Sequence, residues 1–161
     1  MQTRAVYLVV LTALLVSDVR SQSLSIASST AKAGSTGSFL LKLAADSGTA
    51  PVALQWKFSF PRTISVVASD ILAGSAAESA HKTLACALDH ETKSPDMVIF
   101  NCVLAGGKQP IASGTIATVR YHVAGSVPAG PNRIGVDHAL ALSTDFTQTT
   151  MALTGGVILV Q

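Results

Sequence analysis

A strict alternation of apolar and polar side chains runs through the segment Val52–Phe60. Every second residue is apolar, among them Leu54, Trp56 and Phe58, and the residues between them are small or polar. A strand collects such residues on one face, whereas a helix would scatter them around its circumference. Pro61 cannot donate a hydrogen bond to a sheet and ends the pattern. We therefore predict a strand whose aromatic residues, Trp56 among them, face a core.

Eight more segments are predicted as strands from period-2 patterning between turn residues. They are Leu24–Ser28, Ser38–Ala44, Ile64–Ala68, Thr83–Asp89, Met97–Leu104, Thr115–Val123, Asn132–Val136 and Gly156–Val160. One helical turn is predicted over Asp70–Ser79, which is rich in Ala but interrupted by Gly74. Strands and helices do not alternate, so the sequence does not indicate a parallel βαβ sheet. The predicted fold class is all-β, an antiparallel sandwich or jelly roll of about nine strands.

The two cysteines lie on consecutive predicted strands joined by a wide hairpin loop. If Cys86 faces Cys102, antiparallel pairing also places Leu84 opposite Leu104 and Leu88 opposite Phe100. All these side chains then share one apolar face, because the side-chain period of a strand is two residues. Thiol catalysis would require a reactive thiolate beside a base, and neither cysteine has a histidine close in sequence. We therefore predict a disulfide between Cys86 and Cys102.

The first 21 residues have the pattern of a secretory signal peptide. A short basic start that contains Arg4 precedes the apolar run Ala5–Val16, and Val19 and Ser21 occupy the −3 and −1 positions of a cleavage site. The run is too short to span about 30 Å of hydrocarbon. We expect a secreted protein with residues 22–161 as its single domain and no membrane span after cleavage.

Composition excludes nucleic acid as a partner. Charged residues make up 12% of the chain, about half the usual share. Without Arg4, Asp18 and Arg20, nine basic and eight acidic residues remain, and the basic ones are scattered singly. A near-neutral surface of this kind offers no electrostatic footprint for nucleic acid or an anionic membrane.

The order of segments resembles the cohesin family over about residues 24–160. Four stretches are similar to cohesin sequences: Gly34–Ala45; Leu54–Pro61 followed by Ile64–Val67 and Ala73-Gly74; Pro110–Val123, with its Pro-Ile-x-x-Gly turn into a strand; and Pro128–Gly130 with the closing Gly155–Val160. The resemblance implies a nine-stranded jelly-roll sandwich related to carbohydrate-binding modules. It further implies a non-catalytic module that recognises dockerins, small calcium-binding proteins, in bacterial extracellular polysaccharide degradation.

In cohesins the third, fifth and sixth strands form the dockerin-binding face. Carried over to this sequence, that face comprises the outward positions Ala53, Gln55, Lys57, Thr83, Ala85, Ala87, Met97, Ile99, Asn101 and Val103. The sequence departs from the family at Ala53 and Gln55, where dockerin-binding cohesins often have Asn and Asp. This departure makes the transfer of the fold safer than the transfer of the partner.

Other chemistry finds little support in the sequence. Asp89-His90-Glu91 lacks the HExxH spacing of a zinc enzyme and is predicted to lie in a solvated turn. Asp137-His138 supplies two metal ligands where a closed zinc site needs four. There is no G-x-S-x-G nucleophile motif and no D-x-D-x-D-G calcium loop. We therefore expect no catalytic residues, no metal, no cofactor and no enzymatic activity.

Two other binding functions remain open. Direct carbohydrate binding would need an exposed aromatic platform, and alternation assigns Trp56, Phe58 and Phe60 to the core instead. A structural or adhesive surface domain is the third possibility. Met97, Ile99 and Val103 on the outward face favour a protein partner, because an apolar patch within a polar surface is typical of protein interfaces.

Overall fold

Two β-sheets pack face to face in the computed structural model, which describes residues 22–46, 48–91 and 94–161. The predicted signal peptide lies outside these residues. Thirteen strands occur in the described part: β1 (Ser23–Ile26), β2 (Ser29–Ala31), β3 (Thr36–Ala44), β4 (Ala53–Pro61), β5 (Ile64–Ser65), β6 (Ile71–Ala73), β7 (Thr83–Leu88), β8 (Met97–Ala105), β9 (Gly114–Val123), β10 (Gly130–Leu142), β11 (Gln148–Thr150), β12 (Ala152–Thr154) and β13 (Gly156–Val160). A 3-10 helix (Ala68–Asp70) and one short α-helix, α1 (Ser75–Ser79), complete the elements.

The strands divide unequally between the two sheets. Sheet I has the order β12-β1-β3-β9-β5, with β6 also paired to β9. Sheet II has the order β2-β13-β10-β4-β8-β7, with β11 also paired to β10. The pairings are antiparallel except for β1 with β12 and β2 with β13, which are parallel. The predicted all-β sandwich is confirmed.

The core between the sheets is built on the alternation that predicted the strands. Trp56, Phe58 and Phe60 of β4 are each 0% exposed, which confirms their predicted core position. Phe39 of sheet I meets the rings of Phe58 and Phe60 with ring centroids 6.1 Å apart in both pairs. Edge and tilted ring contacts of this kind stabilise the fold beyond what the burial of their area alone contributes. The aromatic residues of β4 thus join the two sheets.

Each of the nine predicted strands has a counterpart, although the predicted strand Ile64–Ala68 is shortened to Ile64–Ser65 and Ala68 begins the 3-10 helix. The four additional strands, β2, β6, β11 and β12, have three residues each. A three-residue strand is too short to show a period-2 pattern, so alternation could not reveal these elements. The expected count of about nine therefore rises to thirteen in the described residues.

The predicted helical turn over Asp70–Ser79 is wrong in its first half. Ile71–Ala73 forms strand β6 and pairs with β9, and only Ser75–Ser79 is α-helical. A Cβ on Gly74 would lie 2.5 Å from the backbone oxygen of Thr115. Glycine is needed at this close approach, which holds the chain against β9 until the helix begins.

The disulfide and the register of the β7–β8 hairpin agree with the sequence prediction. Cys86 is bonded to Cys102, and Leu84 pairs with Leu104 and Leu88 with Phe100. Leu84 packs against the core as predicted. Leu88 was also predicted to face the core, but it is 42% exposed. Its position near the end of an edge strand leaves it without full cover from sheet I.

We expect the exported protein to contain no titratable thiol under denaturing, non-reducing conditions. The double variant Cys86→Ala/Cys102→Ala should keep the fold but lose about 3 kcal/mol of stability, because the bridge closes a loop with a sequence separation of 16 residues. Thermal melts with and without reductant measure this loss. Two reactive thiols in the exported protein would contradict the prediction.

Candidate interaction face on sheet II

Strands β4, β8 and β7 are neighbours in sheet II and present one continuous outer face. In this interaction face, Gln55, Val103 and Ala85 form one row across the three strands. Lys57 of β4 opposes Asn101, which opposes Ala87 in the next row. The resemblance to cohesins predicts that these residues share one face, and the observed strand register makes them neighbours on the sheet.

The face has a weakly polar centre with apolar residues along β8. Val103 is 44% exposed, and Gln55, Ala85, Ala87 and Asn101 are also exposed. Thr83 at the start of β7 is exposed as well. Ala53, Lys57, Met97 and Ile99 are half-buried. None of these exposed positions carries a charged side chain, and depletion of charged residues is typical of the centre of a protein interface.

One ion pair lies at the edge of this face. Lys57 Nζ donates to Asp89 Oδ2 at 2.9 Å, and the Asp89 side chain is only 4% exposed. Asp89 Oδ1 also accepts a hydrogen bond from the Glu91 backbone N–H at 3.0 Å. Asp89 follows β7 directly, so Lys57 reaches from β4 across β8 to this carboxylate. The prediction of a solvated turn is therefore wrong for Asp89, which is a buried ion-pair partner.

We expect Lys57→Met to lower the free energy of unfolding by about 1–2 kcal/mol, because the buried Asp89 carboxylate loses its ion pair with Lys57. The matched control is Lys42→Met, at an exposed position of β3, where the change should stay within about 0.5 kcal/mol. Urea denaturation measures both variants. Equal losses in the two variants would show that the ion pair contributes nothing.

The face ends at an open cleft of about 490 Å³ beside the β7–β8 hairpin. Arg62, Leu88, Met97 and Ile99 contribute to its lining. The Arg62 guanidinium donates through Nε to the Pro95 carbonyl at 2.6 Å, which fixes one wall. Through Met97 and Ile99, the cleft continues the apolar side chains of β8 toward the end of the sandwich.

Metal-ligating side chains are not gathered into a site in the described ranges. No group of three or more His, Cys, Asp or Glu residues there could hold a metal ion. His138 is exposed, and Asp137 lies opposite Lys57 on the neighbouring strand. Across residues 22–46, 48–91 and 94–161, no helix has the length and apolar character to cross a membrane.

Comparison with known family models and with curated proteins finds no sequence match. Solved structures do match. A cohesin from a type I cohesin–dockerin complex of Clostridium thermocellum superposes with a TM-score of 0.71 at 16% identity, over 88% of this chain and 99% of that chain. A cohesin of Acetivibrio cellulolyticus in complex with a dockerin gives 0.71 at 20% identity, over 86% and 98%.

A non-cellulosomal cohesin of the archaeon Archaeoglobus fulgidus gives a TM-score of 0.66 at 13% identity, over 88% of this chain and 91% of that chain. The three matches span nearly the whole described part of the chain. The protein therefore has the cohesin fold. The resemblance seen in the sequence is confirmed at the level of the fold.

Proposed function

We propose that this protein is a secreted, non-catalytic binding module that recognises a dockerin-type protein through its interaction face. The observation that carries the proposal is the continuous, largely uncharged surface across β4, β8 and β7, on a fold shared with cohesins that were solved in complex with dockerins. The centre of the face is formed by Gln55, Ala85, Ala87, Asn101 and Val103. Met97, Ile99 and Lys57 extend it toward the cleft.

The proposed location outside the cell is supported by two features. The pattern of residues 1–21 is typical of a signal peptide, and the Cys86–Cys102 disulfide is typical of proteins in oxidising compartments. A role in assembling polysaccharide-degrading machinery follows from the resemblance and belongs to the same proposal.

Direct carbohydrate binding is less well supported. The rings expected on a sugar platform are buried in β4, where Trp56 is 0% exposed. Among the described aromatic residues, the one with a largely exposed ring is Phe146, at 73%. Phe146 lies in the turn between β10 and β11, away from the interaction face, and a single ring in a turn is not an extended stacking surface.

Affinity capture tests the proposal directly. Residues 22–161, immobilised through the C-terminus, should retain a protein from the secretome of the producing organism in buffer with calcium. Retention should be lost with a chelator, because calcium would be held by the partner and not by this chain. Retention on insoluble polysaccharide, with no protein captured, would instead support the carbohydrate-binding alternative.

A further inference from the structure

Strand β7 is an uncharged edge of sheet II. It pairs with β8 alone within the described residues, while β6, α1 and the 3-10 helix approach it without any backbone hydrogen bond. Its six residues, Thr83–Leu88, contain no charged residue, no Pro and no Gly. Such residues are the usual means by which an edge strand avoids pairing with another chain. This edge has none of them in the strand itself.

Two observations show which backbone groups of β7 point away from β8. The Asp89 N–H donates to the Ile99 carbonyl at 2.8 Å, so this opposed pair is hydrogen-bonded. The Cα atoms of Cys86 and Cys102 are 4.1 Å apart, close to the ~4.5 Å of a non-hydrogen-bonded antiparallel pair. Because the two kinds of pair alternate along a ladder, the N–H and C=O groups of Leu84, Cys86 and Leu88 point to the open edge.

The sequence of this edge is its own mirror image. Leu84-Ala85-Cys86-Ala87-Leu88 reads the same in both directions around Cys86. Two antiparallel copies related by a two-fold axis at Cys86 would place leucine opposite leucine and alanine opposite alanine. An isologous contact requires a surface that complements itself under two-fold rotation. A two-fold axis at Cys86 therefore fits both the palindromic sequence and the direction of the backbone groups that do not pair with β8.

We propose that two copies of this chain pair through β7 to form a symmetric dimer with one continuous sheet. Leu84, Cys86 and Leu88 would each exchange two hydrogen bonds with the second copy, about six in all. The outward side chains Ala85 and Ala87 are small and uncharged, so nothing repels the second strand. Leu88, 42% exposed in the single chain, becomes covered by Leu84 of the second copy.

The dimer goes beyond the proposed binding function and does not depend on it. Pairing uses the edge of β7, whereas the interaction face uses the outward side chains of three strands. In the dimer the two interaction faces lie side by side on one surface of the joined sheet. One assembly would therefore present two binding faces. Two linked binding faces raise the apparent affinity for a partner that engages both of them, without any new contact.

Sedimentation velocity on residues 22–161 at increasing protein concentration should show conversion from monomer to dimer. Amide hydrogen exchange measured by NMR over the same concentrations identifies the surface. In the dimer the amides of Leu84, Cys86 and Leu88 should become protected, whereas those of Ala85 and Ala87 are protected in both states. A dimer in which the first three amides still exchange rapidly overturns the proposal, as does a protein that stays monomeric throughout.

The variant Leu88→Lys places a charge on the edge and should raise the dimer dissociation constant about tenfold or more. The matched control is Leu159→Lys, also 42% exposed but in β13, between two other strands. Thermal melts check that both variants fold. The control should dimerise normally, and an equal loss in both variants overturns the proposal. Val103→Asp on the interaction face should leave the dimer intact, which separates this proposal from the proposed function.

Discussion

Replacing Trp56 with alanine is expected to lower the free energy of unfolding by about 3–5 kcal/mol, because it removes a large side chain that the surrounding core cannot fully replace. Trp56 is 0% exposed. Its ring packs edge-on against Phe58 at 5.9 Å between centroids. The loss comes from burial and from the cavity left between the sheets. Urea denaturation followed by circular dichroism measures it.

The matched control for this prediction is Trp56→Phe. The Trp56 Nε1–H has no hydrogen-bond partner in the described structure, so the tryptophan carries a cost that phenylalanine avoids. We expect a loss of about 1–2 kcal/mol for phenylalanine, clearly smaller than for alanine. If Trp56→Ala kept full stability and lost only retention on polysaccharide, Trp56 would be a sugar-binding residue and its burial would be wrong.

Placing a carboxylate at the centre of the interaction face should abolish most partner binding. Val103→Asp is expected to weaken binding by about 2–4 kcal/mol, roughly thirtyfold to a thousandfold, because the charge would be desolvated without a partner. Val103 is 44% exposed between Gln55 and Ala85. The stability of the free domain should therefore change by no more than about 1 kcal/mol. Calorimetric titration with the captured partner measures the binding.

Leu159→Asp provides the control on the same sheet. Leu159 has nearly the same exposure as Val103, 42%, but it lies on β13, away from β4, β8 and β7. Binding should be unchanged in this variant. Normal binding by a folded Val103→Asp variant would place the interface elsewhere on the domain.

Strand β10 shows where the alternation of apolar and polar residues predicts a strand correctly and where it fails. Up to Val136 its buried residues are even-numbered, and from the irregularity between Asp137 and Leu140 onward they are the odd-numbered Ala139 and Ala141. His138 at this point has φ of 50°. A bulge adds a residue and exchanges the two faces. The predicted strand therefore ended at Val136, whereas β10 continues to Leu142.

The interaction face was predictable where it depends on register and unpredictable where it depends on side-chain reach. Once Cys86 is placed opposite Cys102, the two-residue period of side chains along a strand also fixes the side of the sheet on which Ala85, Ala87 and Val103 lie. The pairing of Lys57 with Asp89 crosses an intervening strand. No local sequence pattern reports such a contact, so Asp89 was assigned to a solvated turn.

The last strand of the domain, β13, pairs with β2 near the start of the described chain, and this pairing of distant segments affects how the chain can fold. The Val157 N–H donates to the Ser28 hydroxyl, 129 residues away in the sequence. β13 inserts between β2 and β10, so sheet II has a gap until the final segment is available. Contacts this distant in sequence slow folding, because the chain must close a long loop before they form. A nascent chain that has not yet released Gly156–Val160 would leave two strand edges open to other chains.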